Sequence, residues 1–261
     1  MYDIDGFFSV LDGIAPIRLS HKLIEKGDYD NSGVIVRQNE EIKKILFSLD
    51  LSVGAVKSAK KNKCDTIVTH HPAIYHPIKC LDSGNAALLS AVNANLNVIS
   101  MHLNLDVAKF GTDQSLAEGL GGKDIEILDV LEDGVGYGRK FYSGMSAAGI
   151  KATIRKNLRT ARTLFYGDGK KVIGNIASFC GGGAGYAEDM LLSGKLSGVD
   201  AIITSDVPHH LIKRFTEDGK ALFIITHYAA ENYGFKKFYE RVKKEVSEKA
   251  EVLFYEDKKL M

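Results

Sequence analysis

Six short apolar, β-branched runs recur along the chain without regular polar alternation. They are Lys44-Ile45-Leu46-Phe47, Thr66-Ile67-Val68, Asn97-Val98-Ile99, Val172-Ile173-Gly174-Asn175-Ile176, Ala201-Ile202-Ile203 and Leu222-Phe223-Ile224-Ile225. An alternating strand keeps one face in water, whereas a strand without alternation is covered on both faces. The runs therefore read as strands in the middle of sheets. Between them, apolar positions recur at helical spacing, most clearly over Ser52–Asn62, Ala86–Asn95, Tyr186–Leu196, His209–Asp218 and Glu231–Lys249. This strand–helix alternation predicts an α/β fold with helices layered on the sheets.

The stretch Leu120–Gly138 carries Gly121, Gly122, Gly134, Gly136 and Gly138 and is the expected domain boundary. Two α/β lobes follow, 1–127 and 128–261, with the final helix able to pack back on the first lobe. An internal echo supports two similar halves. One strand ends in Thr69-His70-His71 and another in Thr226-His227-Tyr228. A second strand in each half also runs into polar residues, Ser100 to Asp106 and Thr204 to His210.

Composition narrows the class. At 261 residues, 45% hydrophobic and 26% charged, the chain has the make-up of a soluble globular enzyme. A net charge of +1 gives no global electrostatic case for nucleic acid or an anionic membrane. No apolar run approaches the roughly 20 residues needed to span a bilayer, and Met1 to Ile14 lacks the pattern of a secretory signal. Cys64, Cys80 and Cys180 are odd in number and far apart, which fits a reducing cytoplasm and no disulfide framework.

The histidines carry the chemical signal. Of eight, only His21 lies away from the predicted strand ends, where ligands of open α/β sheets gather. His70 and His71 are adjacent, so in extended backbone they point to opposite sides and suit two different metal ions. His102 and Asp106, and likewise His227 and Glu231, are four residues apart. On a helical turn such pairs share a face. Each motif alone also fits an ordinary role: a core histidine beside a surface one, or a capping acid at a helix start. Together, His70, His71, Asp106, His227 and Glu231 form the mixed nitrogen and oxygen set of a dinuclear hydrolytic site. His102, His209 and His210 would then face the substrate, and His102 and His210 are the candidates for proton transfer in catalysis.

Cys180-Gly181-Gly182-Gly183-Ala184-Gly185 follows a predicted strand. Its backbone N–H groups could cradle a phosphate or carboxylate, and a tight structural turn fits equally well. Cys180 reads as a buried structural thiol.

Seven elements occur in order: Asp28-Tyr29-Asp30-Asn31-Ser32-Gly33, Ser48-Leu49-Asp50, Thr69-His70-His71-Pro72, His102-Leu103-Asn104-Leu105-Asp106, the Gly181–Gly185 loop, Ser205-Asp206-Val207-Pro208-His209-His210 and Thr226-His227-Tyr228-Ala229-Ala230-Glu231. As a set they resemble the NGG-interacting-factor-three-like family, whose members carry the label of type 2 homologues of GTP cyclohydrolase I. The resemblance runs from about residue 28 to residue 235. It implies two lobes related by a pseudo-two-fold, two divalent metal ions in the cleft between them, and a toroidal homohexamer. It also implies that Asp106 is the bridging carboxylate and that this is a short form without an inserted domain. Two departures stand out: Ser32 where the family usually has Val, and Leu103 where a small polar residue is usual. Neither removes a ligand.

The expected function is a metal-dependent hydrolase acting on a nucleotide or phosphorylated small molecule. The metals are drawn from Zn, Fe, Mn, Co or Ni. The rival is a non-catalytic metal-binding or ring-shaped scaffold protein that interacts with other proteins.

Overall fold

The computed structural model describes residues 1–246 and 248–260. The chain divides into two compact units. The first joins Met1–Ala108 to Phe235–Lys258, and the main part of the second is Lys109–Gly234.

The first unit opens with β1 (Tyr2–Asp3), α1 (Ile4–Ile14), α2 (Arg18–Glu25), β2 (Gly33–Val36) and β3 (Glu41–Ile42). Next come β4 (Lys44–Ser48), α3 (Val53–Lys61), β5 (Thr66–Thr69), α4 (Ala86–Asn93), β6 (Asn97–Ser100) and α5 (Leu103–Val107). Every residue of β5 and β6 is buried, as the lack of alternation predicts. Ser52 caps α3, its hydroxyl accepting from Ala55 N at 3.0 Å.

Register is what gives this sheet its use. β4, β5 and β6 are parallel, and Ser48, Thr69 and Ser100 stand side by side at their carboxyl ends. Whatever follows those three residues is gathered along one sheet edge. Hydroxyls stiffen that edge: Thr69 Oγ1 lies 2.9 Å from Ser100 Oγ, and Ser48 Oγ donates to Asp50 O at 2.8 Å. β2 closes one side of the sheet, antiparallel to β6.

The second unit contains α6 (Thr112–Gly119), β7 (Lys123–Glu132), β8 (Val135–Ser146), α7 (Ala147–Asn157) and β9 (Thr163–Tyr166). It continues with β10 (Val172–Ser178), α8 (Ala184–Leu192), β11 (Ala201–Thr204), α9 (His209–Glu217) and β12 (Ala221–Ile225). The sheet order is β7-β8-β10-β11-β12-β9, with β10, β11 and β12 parallel. Their carboxyl ends also lie in register, so Cys180-Gly181, Ser205-Asp206 and His227 follow neighbouring strands.

The glycine-bearing stretch 120–138 runs from the end of α6 through β7 and into β8. β7 and β8 pair antiparallel up to Glu132 and Val135, with Asp133-Gly134 turning between them. Gly134 takes φ +70, a left-handed conformation that glycine adopts without steric cost. The unit division falls at Ala108/Lys109, because residues 123–132 are tied to β8 by backbone hydrogen bonds.

The last helix, α10 (His227–Val246), begins in the second unit and ends in the first. After it, β13 (Glu251–Tyr255) pairs in parallel with β4. Phe235, Phe238 and Tyr239 on α10 pack around Phe47 of β4, with ring centroids 5.5–6.1 Å apart. No helix among the described residues is long and apolar enough to cross a membrane.

Candidate metal centre

In the first unit, the sheet edge carries three imidazoles. His70 and His71 leave β5, and His102 stands two residues after β6. One ligand nitrogen of each lies within 4.8 Å of the others. Ring centroids are 5.0 Å apart for His70 and His71, 5.2 Å for His70 and His102, and 5.7 Å for His71 and His102. The sequence places His102 in a proton-transfer role; the fold brings it into the same cluster as the histidine pair.

Each ring is fixed in the same sense. His70 Nδ1 is 2.8 Å from the carbonyl of Met101. His71 Nδ1 is 2.6 Å from Asp50 Oδ1, and His102 Nδ1 is 2.8 Å from Asp30 Oδ1. An oxygen acceptor at Nδ1 selects the tautomer whose proton is on Nδ1, which leaves the Nε2 lone pair as a ligand. Asp30 is itself held by the hydroxyls of Ser20 and Ser32. Burial alone would raise its pKa, but the hydrogen bond and charge of His102, with the two hydroxyls, hold it below the ordinary carboxylate value.

Asp106 lies on α5, and its carboxylate Oδ1 stands 3.4 Å from His70 Nε2. Both side chains are buried. With the proton on Nδ1, two acceptors face each other across this gap. Such a pair calls for a cation or a shared proton between them.

In the second unit, His227 opens α10 and Glu231 follows one turn later. His227 Nε2 is 3.0 Å from Glu231 Oε2, and Nδ1 is hydrogen-bonded to Asp206. Burial would lower the pKa of His227, but the hydrogen bond and charge of Glu231, joined by those of Asp206, push it up to about 9. The ring is thus an imidazolium clamped by two carboxylates. His227 and Glu231 would be the residues of this unit that hold a metal cation, in place of the proton they share.

The glycine loop closes over this pair. A Cβ on Gly181 would stand 2.2 Å from Glu231 Oε1 and 3.4 Å from His227 Nε2, and its φ is +57. Ser205 Oγ donates to the Gly181 carbonyl. Cys180, buried, has its amide bonded to Asp113 Oδ1 at 3.0 Å. Asp113 pairs in turn with the fully buried Arg139 at 2.9 Å. Arg139 is satisfied further by the carbonyls of Gly136 and Gly138 and by Gln114, which is what a buried guanidinium requires. The loop is therefore a tight turn fitted against a carboxylate.

His209 and His210 lie exposed at the start of α9. His210 borders an open groove of about 680 Å³ with Leu191, Leu192, Lys213, Arg214, Glu217 and Asp218. None of the close histidine and carboxylate groupings among the described residues includes it. Asp30, Asp50 and Asp206, by contrast, belong to the site as orienting partners. The sequence assigned them no role, although all three stand in the motifs that carry the family resemblance.

The imidazole and carboxylate donors fit a divalent first-row cation. The family description Duf34/NIF3 (NGG1p interacting factor 3) matches residues 2–259. The chain is 28% identical over 264 residues to a GTP cyclohydrolase 1 type 2 homolog of Clostridium perfringens, covering 98% of this chain and 97% of that one. It is 30% identical to the protein of the same name from Haemophilus influenzae, with coverage of 84% and 86%. Among solved structures, it superposes on a Bacillus cereus protein related to NIF3 with a TM-score of 0.85, at 14% identity and coverage of 97% and 96%. Reduced HcgD from Methanocaldococcus jannaschii gives a TM-score of 0.79 at 24% identity, with 97% of each chain covered.

Proposed function

The chain belongs to the Duf34/NIF3 family, and from that premise we propose that it holds two divalent metal ions and hydrolyses a nucleotide or phosphorylated small molecule. His70, His71 and Asp106 would provide the ligands of the first unit, and His227 with Glu231 those of the second. When bound, a pair of divalent cations supplies Lewis-acid charge and lowers the pKa of water towards neutrality.

One observation supports the reading above all: three imidazoles on one sheet edge have Nδ1 tied to oxygen acceptors, with ligand nitrogens within 4.8 Å. A packing role would not require all three rings to be fixed in the same tautomer. The residues of this chain contribute orientation. Asp50 and the Met101 carbonyl keep Nε2 of His71 and His70 aimed inward, and Asp30 does the same for His102. His102, 13% exposed, would bind substrate or carry a proton at Nε2.

The test is element analysis of the purified chain, followed by turnover with that metal. About two metal equivalents per chain are expected, falling by at least one in His71→Ala. Phosphoester or nucleotide turnover should disappear in Asp106→Ala. Full metal content without any turnover would leave the binding half and remove the hydrolase. A metal-free protein that also refuses added Zn(II), Mn(II) and Fe(II) would remove both. The homohexamer implied by the family belongs to this reading and is checked by sedimentation.

A further inference from the structure

Two loops beside the first unit's imidazoles carry aromatic rings that take no part in the core. Tyr29 and Tyr75 are 44% and 42% exposed, and His76 is exposed with them. The centroids of Tyr29 and Tyr75 are 5.2 Å apart at 62°, and His76 lies 4.7 Å from each. The loops are pinned together. Asn31 Nδ2 donates to Ile74 O at 2.6 Å, and Tyr75 OH donates to Tyr29 O at 3.2 Å. Rings on irregular loops, clustered in water and held by cross-loop bonds, are preorganised for something other than packing.

The cluster continues into the candidate metal centre. Tyr75 meets His102 edge to face, centroids 6.0 Å apart at 81°. We propose that Tyr29, Tyr75 and His76 form a stacking platform for the planar heteroaromatic ring of the substrate, a ring of nucleobase type, placed beside His102. The inference rests on the metal reading for the reacting end of the substrate and adds the end that is recognised.

Two features select a ring over other occupants. Aromatic faces stack any planar heterocycle and suit a ring that is apolar on its faces and polar at its edge. Burial raises the pKa of the Tyr75 hydroxyl, and the nearby carboxylates of Asp30 and Asp28 raise it further. That negative surrounding disfavours a phosphate on the platform and suits a ring edge bearing N–H donors. The phosphate would then turn towards the imidazoles.

The experiment measures binding of guanosine 5′-monophosphate, adenosine 5′-monophosphate and ribose 5-phosphate to the full chain by calorimetry, both chelator-treated and metal-loaded. The ring-bearing compounds should bind more tightly than ribose 5-phosphate in both states. Tyr75→Ala should weaken them roughly 5- to 100-fold, while Tyr75→Phe keeps most of the affinity. Affinity for ribose 5-phosphate and metal content should be unchanged in both variants. Equal affinity for all three compounds, or ring-dependent affinity untouched by Tyr75→Ala and Tyr29→Ala, overturns the proposal. So does a Tyr75→Ala protein whose only change is a smaller assembly in sedimentation. Ring-dependent binding by a chain that takes up no metal supports the platform and removes the metal reading, so the two failures are told apart.

Discussion

His227 Nε2 lies 3.0 Å from Glu231 Oε2 across one turn of α10. With Asp206 on the other ring nitrogen, the imidazole is held charged by acids on both sides. This arrangement has a cost that depends on pH. A histidine whose folded pKa is raised to about 9 contributes stability in full below its unfolded value, about 6.5. That contribution is lost as pH rises through the folded value.

In the metal-free chain, wild type should therefore lose about 1–2 kcal/mol relative to His227→Gln between about pH 6.5 and pH 9. The figure is discounted for solvent screening, since the side chain is 35% exposed. Urea unfolding of both proteins across that range measures it. A stability difference that stays flat with pH contradicts the clamped imidazolium.

Gly181→Ala should reduce the metal held by His227 and Glu231. The added methyl falls 2.2 Å from Glu231 Oε1, and a left-handed alanine costs about 1–2 kcal/mol besides. Element analysis and a denaturation curve check the two effects separately. Normal metal content in this variant would show that Glu231 is not a ligand.

Asp50 should act on metal through His71. Asp50→Ala frees the ring to rotate and swap tautomer, and loss of such a partner lowers metal affinity about 10- to 100-fold. Competition with a chelating dye gives the number. The carboxylate is 40% exposed, so the fold should be little disturbed. Affinity within two-fold of wild type would make the Asp50 contact incidental.

The buried pair beneath the glycine loop predicts a stability asymmetry. Asp113→Ala leaves Arg139 charged in the interior and should cost about 3–5 kcal/mol, whereas Arg139→Met with Asp113→Leu should cost much less. A double-mutant cycle by urea unfolding reads it. A loss below about 1 kcal/mol in Asp113→Ala would show that Gln114 and the carbonyls of Gly136 and Gly138 carry the guanidinium without the acid.

The sheet centres were legible because burial on both faces writes itself as unbroken apolar runs. β4, β5, β6, β10, β11 and β12 all stand where those runs are. The β7–β8 hairpin was not, because Asp133-Gly134 and its neighbouring glycines read equally well as a boundary between lobes. Gly136 is in fact forced by close approach: a Cβ there would meet Asp129 O at 2.1 Å. Among site residues, the spacing of His227 and Glu231 gave their shared helical face directly. The acids behind the rings could not be read in the same way. Asp50 and His71 are 21 residues apart, and only the register of β4 against β5 makes them neighbours. His210 shows the opposite limit: a position just beyond a strand end does not fix which way a side chain turns, and α9 leaves this one exposed.

The first unit is interrupted by 109–234, and its strand β13 comes from the far end of the chain. During synthesis, β4 must wait with one edge unpaired until more than 200 later residues have emerged, although β5 and β6 can join it early. The main part of the second unit, Lys109–Gly234, is one continuous stretch and can form in the interval. A ribosome stalled before residue 251 would therefore hold a first sheet with an open hydrophobic edge, the kind of surface that chaperones retain.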